Sequence, residues 1–280
     1  MHICTMSKGI RFMLISVTGF AFMQLCVKFL KHLPTTELVL FRSLVSVVLS
    51  GAMIWREGIP PFGNNKLVLF FRGFFGTIAL TLYFYTLQNL PISTAAILQY
   101  LSPIFTALFA IWLLKEPMKP IRWVYFLISI IGVLLVKKFN PDLSYLYLGA
   151  GLLSAVFAGL AYNCIRILRK TDKPVVIVLY FPLVAIPIML VLSYSNWVWP
   201  MGIDWLTIIL MGIFTQIGQL FMTKALHIEK ANVVTPLKYT GIFYALAFDF
   251  FIFGVRYEWM TFAGIAMVLA GVTLNVLRKG

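Results

Sequence analysis

Apolar runs of about twenty residues follow one another along the whole chain, separated by short polar stretches such as EGIPPFGNN, NLPIS, FNPDLS and RKTDKP. A run of that length is what a helix needs to cross a bilayer, and the connections carry turn residues. The pattern predicts ten membrane-spanning helices, at 9–30, 34–55, 67–88, 92–114, 119–137, 144–166, 174–194, 204–227, 230–253 and 257–277. The expected fold is an all-α membrane protein. Alternating segments of about ten residues, which a membrane β-barrel would require, are not the pattern seen.

The pattern also repeats. At an offset of 139 positions Gly73 meets Gly212, Phe75 meets Phe214, Leu98 meets Leu237, Tyr100 meets Tyr239 and Gly132 meets Gly271. Near the start of each half the offset is 138, pairing Ser16 with Ser154 and Cys26 with Cys164. Each half then holds five spans, and an odd number forces the second half to enter from the opposite face. The expected domains are residues 1–140 and 141–280, a 5+5 inverted repeat, an architecture that places a binding site near the midplane and allows alternating access.

Composition agrees with a membrane class: 61% of residues are apolar and 11% charged, against about 25% charged in a soluble domain. The net charge of +14 suits loops that face the cytoplasm better than nucleic-acid binding, and no nucleic-acid partner is expected. Lys8, Arg11, Arg56, Lys66, Arg72, Lys115, Lys119, Arg122, Arg166, Arg169, Lys170, Lys173, Lys224, Lys230, Arg278 and Lys279 would share one side. Lys28, Lys31, Lys137, Lys138 and Arg256 would fall on the other. That bias puts both termini in the cytoplasm. The basic start and long apolar run read as an uncleaved first span. Cys4, Cys26 and Cys164 have no metal-type spacing, and His2, His32 and His227 do not cluster, so neither metal nor cofactor is expected.

Against this background a lysine in NVVTPLKYTG stands out. Lys238 lies about 12 Å deep, at 1.5 Å per residue from the start of span 9. An ionisable group at such depth faces a cavity or a partner. Its repeat mate is Gln99, and each is followed by a tyrosine, Tyr100 or Tyr239. Pro103 and Pro236 interrupt the helical ladders of spans 4 and 9, so these two spans should bend beside a wet cavity.

Polar stripes mark other faces. Thr77, Thr81, Tyr85 and Gln88 share one side of span 3; Thr215, Gln219 and Thr223 share one side of span 8; Gln24 and Lys28 lie on span 1; Tyr162, Asn163 and Arg166 lie on span 6. Back-bonding within the helix explains any single threonine, whereas the stripes as sets read as cavity lining. Spans 1, 3, 4, 6, 8 and 9 would surround the path, and spans 5 and 10 read as packing or dimer helices, so a homodimer is among the expected partners. Arg42 either pairs with Glu37 or meets the solute. Lys28, Arg72, Arg166 and Lys224 are near enough to span ends to snorkel.

PLKY, the FRS of span 2, the 5+5 repeat and IWLLKEPMKPIRWVYFLISIIGVLLV together resemble the drug/metabolite transporter superfamily in its EamA branch, over essentially the whole chain. Glu116 matches the acidic residue that ends span 4 in that branch, whereas Val255 departs from it in the second half; Phe20 replaces the usual first-span tryptophan. The resemblance implies a carrier of amino acids, nucleotide-linked compounds or other small metabolites in a bacterial inner membrane, and span 2 and PLKY are similar to S-adenosylmethionine carriers.

The expected function is therefore a carrier, with solute and lipid as partners. Lys238 would hold an anionic group, Tyr239, Gln99, Tyr100 and Gln24 would add hydrogen bonds, and Tyr83 and Tyr85 would wall the apolar part. Thr81, Gln219, Asn163 and Arg42 complete the candidate site. A sulfonium solute such as S-adenosylmethionine is an alternative, since tyrosines serve cation–π contact. A membrane enzyme would show clustered His, Asp and Glu, and a channel a filter loop. Without a mid-span carboxylate or histidine relay, facilitated movement or exchange is favoured over proton drive.

Overall fold

The structure, a computed structural model, describes residues 7–113, 115, 120–138, 144–229 and 231–277. Cys4, Glu116, Lys119, Lys230, Arg278 and Lys279 lie outside the described residues. Helices α1 (Lys8–Phe29), α2 (Thr35–Glu57), α3 (Lys66–Asn89), α4 (Ile92–Gln99), α5 (Ser102–Leu113) and α6 (Ile121–Lys138) form the first half. Helices α7 (Tyr145–Leu168), α8 (Pro174–Ser193), α9 (Asp204–Ile228), α10 (Ala231–Val234), a 3-10 segment (Thr235–Thr240), α11 (Gly241–Phe251) and α12 (Trp259–Leu277) form the second. No strand occurs among the described residues.

Among the described residues seven stretches are long and apolar enough to cross a membrane: α1, α2, α3, α4 with α5, α7, α8 and α9. The other apolar segments, around Trp123–Leu135 in α6, Trp259–Leu274 in α12 and the broken run α10–α11, are shorter or interrupted. Apolar side chains such as Trp55, Trp112, Phe243 and Phe251 remain exposed on the outside, as a lipid-facing surface requires.

The two halves interlock. Helix α1 packs on α9 and α3 on α7; α2 packs on α8, α6 on α12 and α4 on α11. Exchanging the halves turns the α1–α9 contact into α7–α3 and maps the α2–α8 and α6–α12 contacts onto themselves. The same exchange relates two buried hydrogen bonds, Ser16 Oγ to the Gly218 carbonyl and Ser154 Oγ to the Ala79 carbonyl, both 2.7 Å. Pairs run antiparallel. Phe12 meets Phe221 while Phe22 stacks on Phe214, and Phe75 meets Phe157 while Tyr85 meets Tyr147.

Small residues permit the close crossings, because lipid gives helices no hydrophobic reason to associate and packing must do so. At Gly132 of α6 a Cβ would lie 2.8 Å from the Gly264 carbonyl and from the Val268 amide of α12. These are backbone atoms and cannot swing aside. Gly149 of α7, by contrast, has open space around it. Gly132→Ala should lower stability by roughly 1–3 kcal/mol, the usual cost of overpacking, while Gly149→Ala leaves it unchanged or slightly raised. Thermal unfolding of the two variants in detergent checks this; equal melting would refute the close α6–α12 crossing.

Candidate functional site

Two helix breaks create the site. Helix α4 stops at Gln99 and α5 starts at Ser102, one residue before Pro103. In the second half α10 gives way to 3-10 geometry around Pro236, and regular helix resumes at Gly241. The breaks face each other: the rings of the repeat mates Tyr100 and Tyr239 meet edge-on at 5.3 Å. Gly241 makes room, since a Cβ there would lie 2.6 Å from the Tyr100 hydroxyl.

Beside this contact lies a cavity of about 120 Å³, lined by segments of α1, α3, α4, α5, α7, α9 and the 3-10 turn. The cavity brings together Lys238, Tyr239, Gln99, Tyr100, Gln24, Tyr83 and Gln219, with Ser16, Ser102 and Tyr162 beside them. The Lys238 ammonium sits 4.2 Å over the ring of Tyr162, a cation–π geometry, and no carboxylate pairs with it among the described residues. The Tyr239 hydroxyl is buried with no partner. Gln99 accepts from Ser154 at 2.9 Å, which leaves its amide free to donate. The lining therefore offers an ammonium, a phenol and amide groups, a donor-rich set suited to an anionic oxygen.

Four candidate residues are elsewhere. Thr81 donates to the Thr77 carbonyl of its own helix, at 2.8 Å. Thr77, Thr215 and Thr223 do the same one turn back, so the threonine stripes are satisfied by their own backbones. Tyr85 packs against Tyr147. Asn163 clips α7 to α5 by donating to the Thr106 carbonyl at 2.9 Å. Arg42 is 1% exposed and lies 4.3 Å over the Phe181 ring. Its expected pairing with Glu37 does not form. Five residues turn a helix by 500°, which sends the two side chains apart, and Glu37 accepts the Val198 amide at 2.7 Å instead.

Two residues read as snorkelling are not. Lys28 donates to the Leu87 and Leu90 carbonyls, at 3.1 and 2.7 Å, and so closes the end of α3. Arg72 is 3% exposed. Conversely, Tyr162 carries the cavity's cation–π contact and was not singled out from its stripe. Its signal was available: at the offset of 138 it is the repeat mate of Gln24.

The broken helices need their ends satisfied. Asp249 of α11 accepts the Ile92 and Ser93 amides at 2.9 and 2.8 Å, capping α4 across the boundary between halves. Tyr257, in the turn before α12, donates to the same carboxylate at 2.7 Å. Burial and that carboxylate push the Tyr257 phenol above its ordinary range, so it stays protonated and donating.

The sequence profile of the EamA-like transporter family matches residues 7–137 and again 145–277. Among curated proteins the chain is similar to the pseudopaline exporter CntI of Pseudomonas aeruginosa, 30% identical over 89% of this chain and 88% of that protein. Human solute carrier family 35 member G1 is 31% identical, over 97% of this chain and 79% of that protein. The S-adenosylmethionine uptake transporter of Rickettsia felis is 22% identical over 98% and 93%. A solved crystal structure superposes with a TM-score of 0.68 at 17% identity, covering 96% of both chains, and supports the fold.

Asp249→Ala removes three charge-assisted bonds and leaves two buried amides unpaired, so it should cost about 3 kcal/mol or more of stability. Asp249→Asn, which keeps one acceptor oxygen, should cost less. Thermal unfolding ranks the two; equal melting with the parent protein would remove the capping role.

Proposed function

The chain belongs to the EamA-like transporter family, and from that premise we propose that it is an inner-membrane carrier of a small carboxylate-bearing solute, working by alternating access between two inverted five-span halves. Membership makes it a multi-pass membrane transporter. The observation that carries the solute class is Lys238, an ammonium without an acid partner among the described residues, looking into a cavity where both halves are broken.

Several features support the inverted repeat. The family profile matches twice. Equivalent elements pair with each other and run in opposite directions. Ile92 and Ser93 of α4 meet Asp249 of α11 while Tyr100 meets Gly241, and Gly132 of α6 meets Gly264 of α12 while Ser129 meets Gly271. Two copies related in this way enclose one site, and rocking one against the other exposes it to each side in turn. Residues 1–140 and 141–280 are the moving halves in this reading.

At the site the carboxylate takes the Lys238 ammonium and the Tyr239 hydroxyl, Gln99 and Gln24 orient the polar remainder, and the rings of Tyr83, Tyr100 and Tyr162 hold the apolar part. The cavity's described lining carries no carboxylate and no histidine, which favours facilitated movement or exchange over proton drive. The aromatic wall also supports a second reading, a carrier of S-adenosylmethionine or a nucleotide-type solute. The named activity of the Rickettsia felis relative points the same way. Competition by S-adenosylmethionine, and none by simple carboxylates, would favour that reading over the first.

Lys238→Met should reduce carboxylate uptake into vesicles to background while membrane insertion and melting stay near normal. Uptake at the parent rate would refute the assignment. The basic loops imply a cytoplasmic C-terminus: a reporter fused after residue 280 should be active if it works only in the cytoplasm, and silent if it works only outside.

A further inference from the structure

A second lobe of about 60 Å³ opens off the same space and shares Tyr83, Gln99, Tyr162 and Gln219 with it. Its far wall carries Arg72, which is separated from the main cavity by one glutamine, Gln219. The Arg72 guanidinium donates to Gln219 Oε1 at 3.3 Å, and its Nε has no partner. It lies 5.5 Å from the Phe181 ring centroid, and Arg42 lies over the same ring at 4.3 Å. The Nε and one terminal nitrogen of Arg42 are also buried and unpartnered. Among the described residues no carboxylate reaches either guanidinium.

Two adjacent buried cations without an acid are costly. Desolvation penalises each ion, and the one aromatic ring they share returns only part of that cost. The surroundings nevertheless keep room for them. A Cβ on Gly76 would lie 2.4 Å from an Arg72 terminal nitrogen and 2.7 Å from the Phe181 ring, so any larger residue there would displace the guanidinium. A planar fork with free donors, held at the wall of a polar space, matches a carboxylate or phosphate.

We propose that the solute bears two acidic groups, one taken by the Lys238 ammonium and the other by the Arg72 guanidinium across the shared floor of Gln99, Tyr162 and Gln219. The assignment rests on the carboxylate-carrier reading above and narrows its substrate class to dianions. Arg42 does not line the lobe; it adds positive potential from behind Phe181.

The test is binding to the purified full-length protein in detergent, with straight-chain dicarboxylates from succinate to pimelate and the monocarboxylates of equal length as probes. A preferred dicarboxylate should bind roughly tenfold or more tightly than its monocarboxylate, the worth of one buried charge-assisted contact. Arg72→Gln should abolish that preference and spare monocarboxylate binding; Arg72→Lys, which keeps the charge, should retain part of it. If dicarboxylates and monocarboxylates bind equally to the parent protein, or the preference survives Arg72→Gln, the second anionic subsite is refuted and the carrier reading stands. If no acid of either kind binds, or Lys238→Met leaves acid binding intact, the carboxylate reading itself fails. Should Arg72→Gln not fold, full loss of the preference in Arg72→Lys counts for the subsite and an unchanged preference against it.

Discussion

Lipid cannot hydrogen-bond a backbone, and this one fact organises the molecule. Every interruption of a membrane helix must find its partners inside the protein or in enclosed water. This chain interrupts two helices and places both interruptions at one point, where Tyr100 meets Tyr239. The freed backbone then needs a polar surrounding, and the cavity beside it is lined by Gln99, Gln24 and Gln219. The cavity is thus the place where non-helical backbone is tolerated, and the chemistry gathers there for the same reason. Asp249 belongs to the same logic. It satisfies the amides at the start of α4, the end of that span away from the break, where the turn from α3 leaves them without a partner in their own helix.

The scaffold is nearly symmetric and the chemistry is not. Ser16 and Ser154 make equivalent bonds to equivalent carbonyls, and the tyrosines after each break are identical. Yet Lys238 stands where the other half has Gln99, and Tyr162 where it has Gln24. A lysine in both copies would set two ammonium groups against one another in a poorly solvated space, each making the other costlier. With one lysine and one glutamine the pocket has a charged pole and a neutral pole, which on the proposed reading would give a solute a defined orientation.

The seven long spans among the described residues and the two breaks were legible in the sequence because both rest on local rules: run length for the helices, proline for the breaks. Most of the cavity residues lie next to those breaks or on helices packed against them. The threonine stripes misled because periodicity shows which face a residue occupies but not whether its hydroxyl turns outward or back to its own carbonyl. Thr81 turned back. Arg72 misled for a different reason. Six residues into its helix it could have reached water, and only the packing of Phe181 and Gly76 around it, from another helix and from its own, closes that route. Glu37 and Arg42 could have been judged correctly, since a spacing of five never faces a partner on a straight helix.

The unbalanced charge in the core has a consequence for how the empty protein behaves. Arg72 and Arg42 raise the free energy of the unoccupied state, because both are buried, with an aromatic ring and, for Arg72, one glutamine in place of an acid, while Lys238 is half-buried at the cavity wall. On the carboxylate reading proposed above, an anion in the cavity would relieve that imbalance of charge. Such a site would discriminate against neutral solutes, which would leave the cations as they were and add their own desolvation. It also links occupancy to movement. A conformation in which the two halves close over the cavity removes the remaining water, and doing so over uncompensated cations is far costlier than over a neutralised pocket. On the proposed alternating-access reading, closure would be favoured with the solute aboard and resisted without it, which is the coupling that a carrier needs between loading and the rocking of its halves.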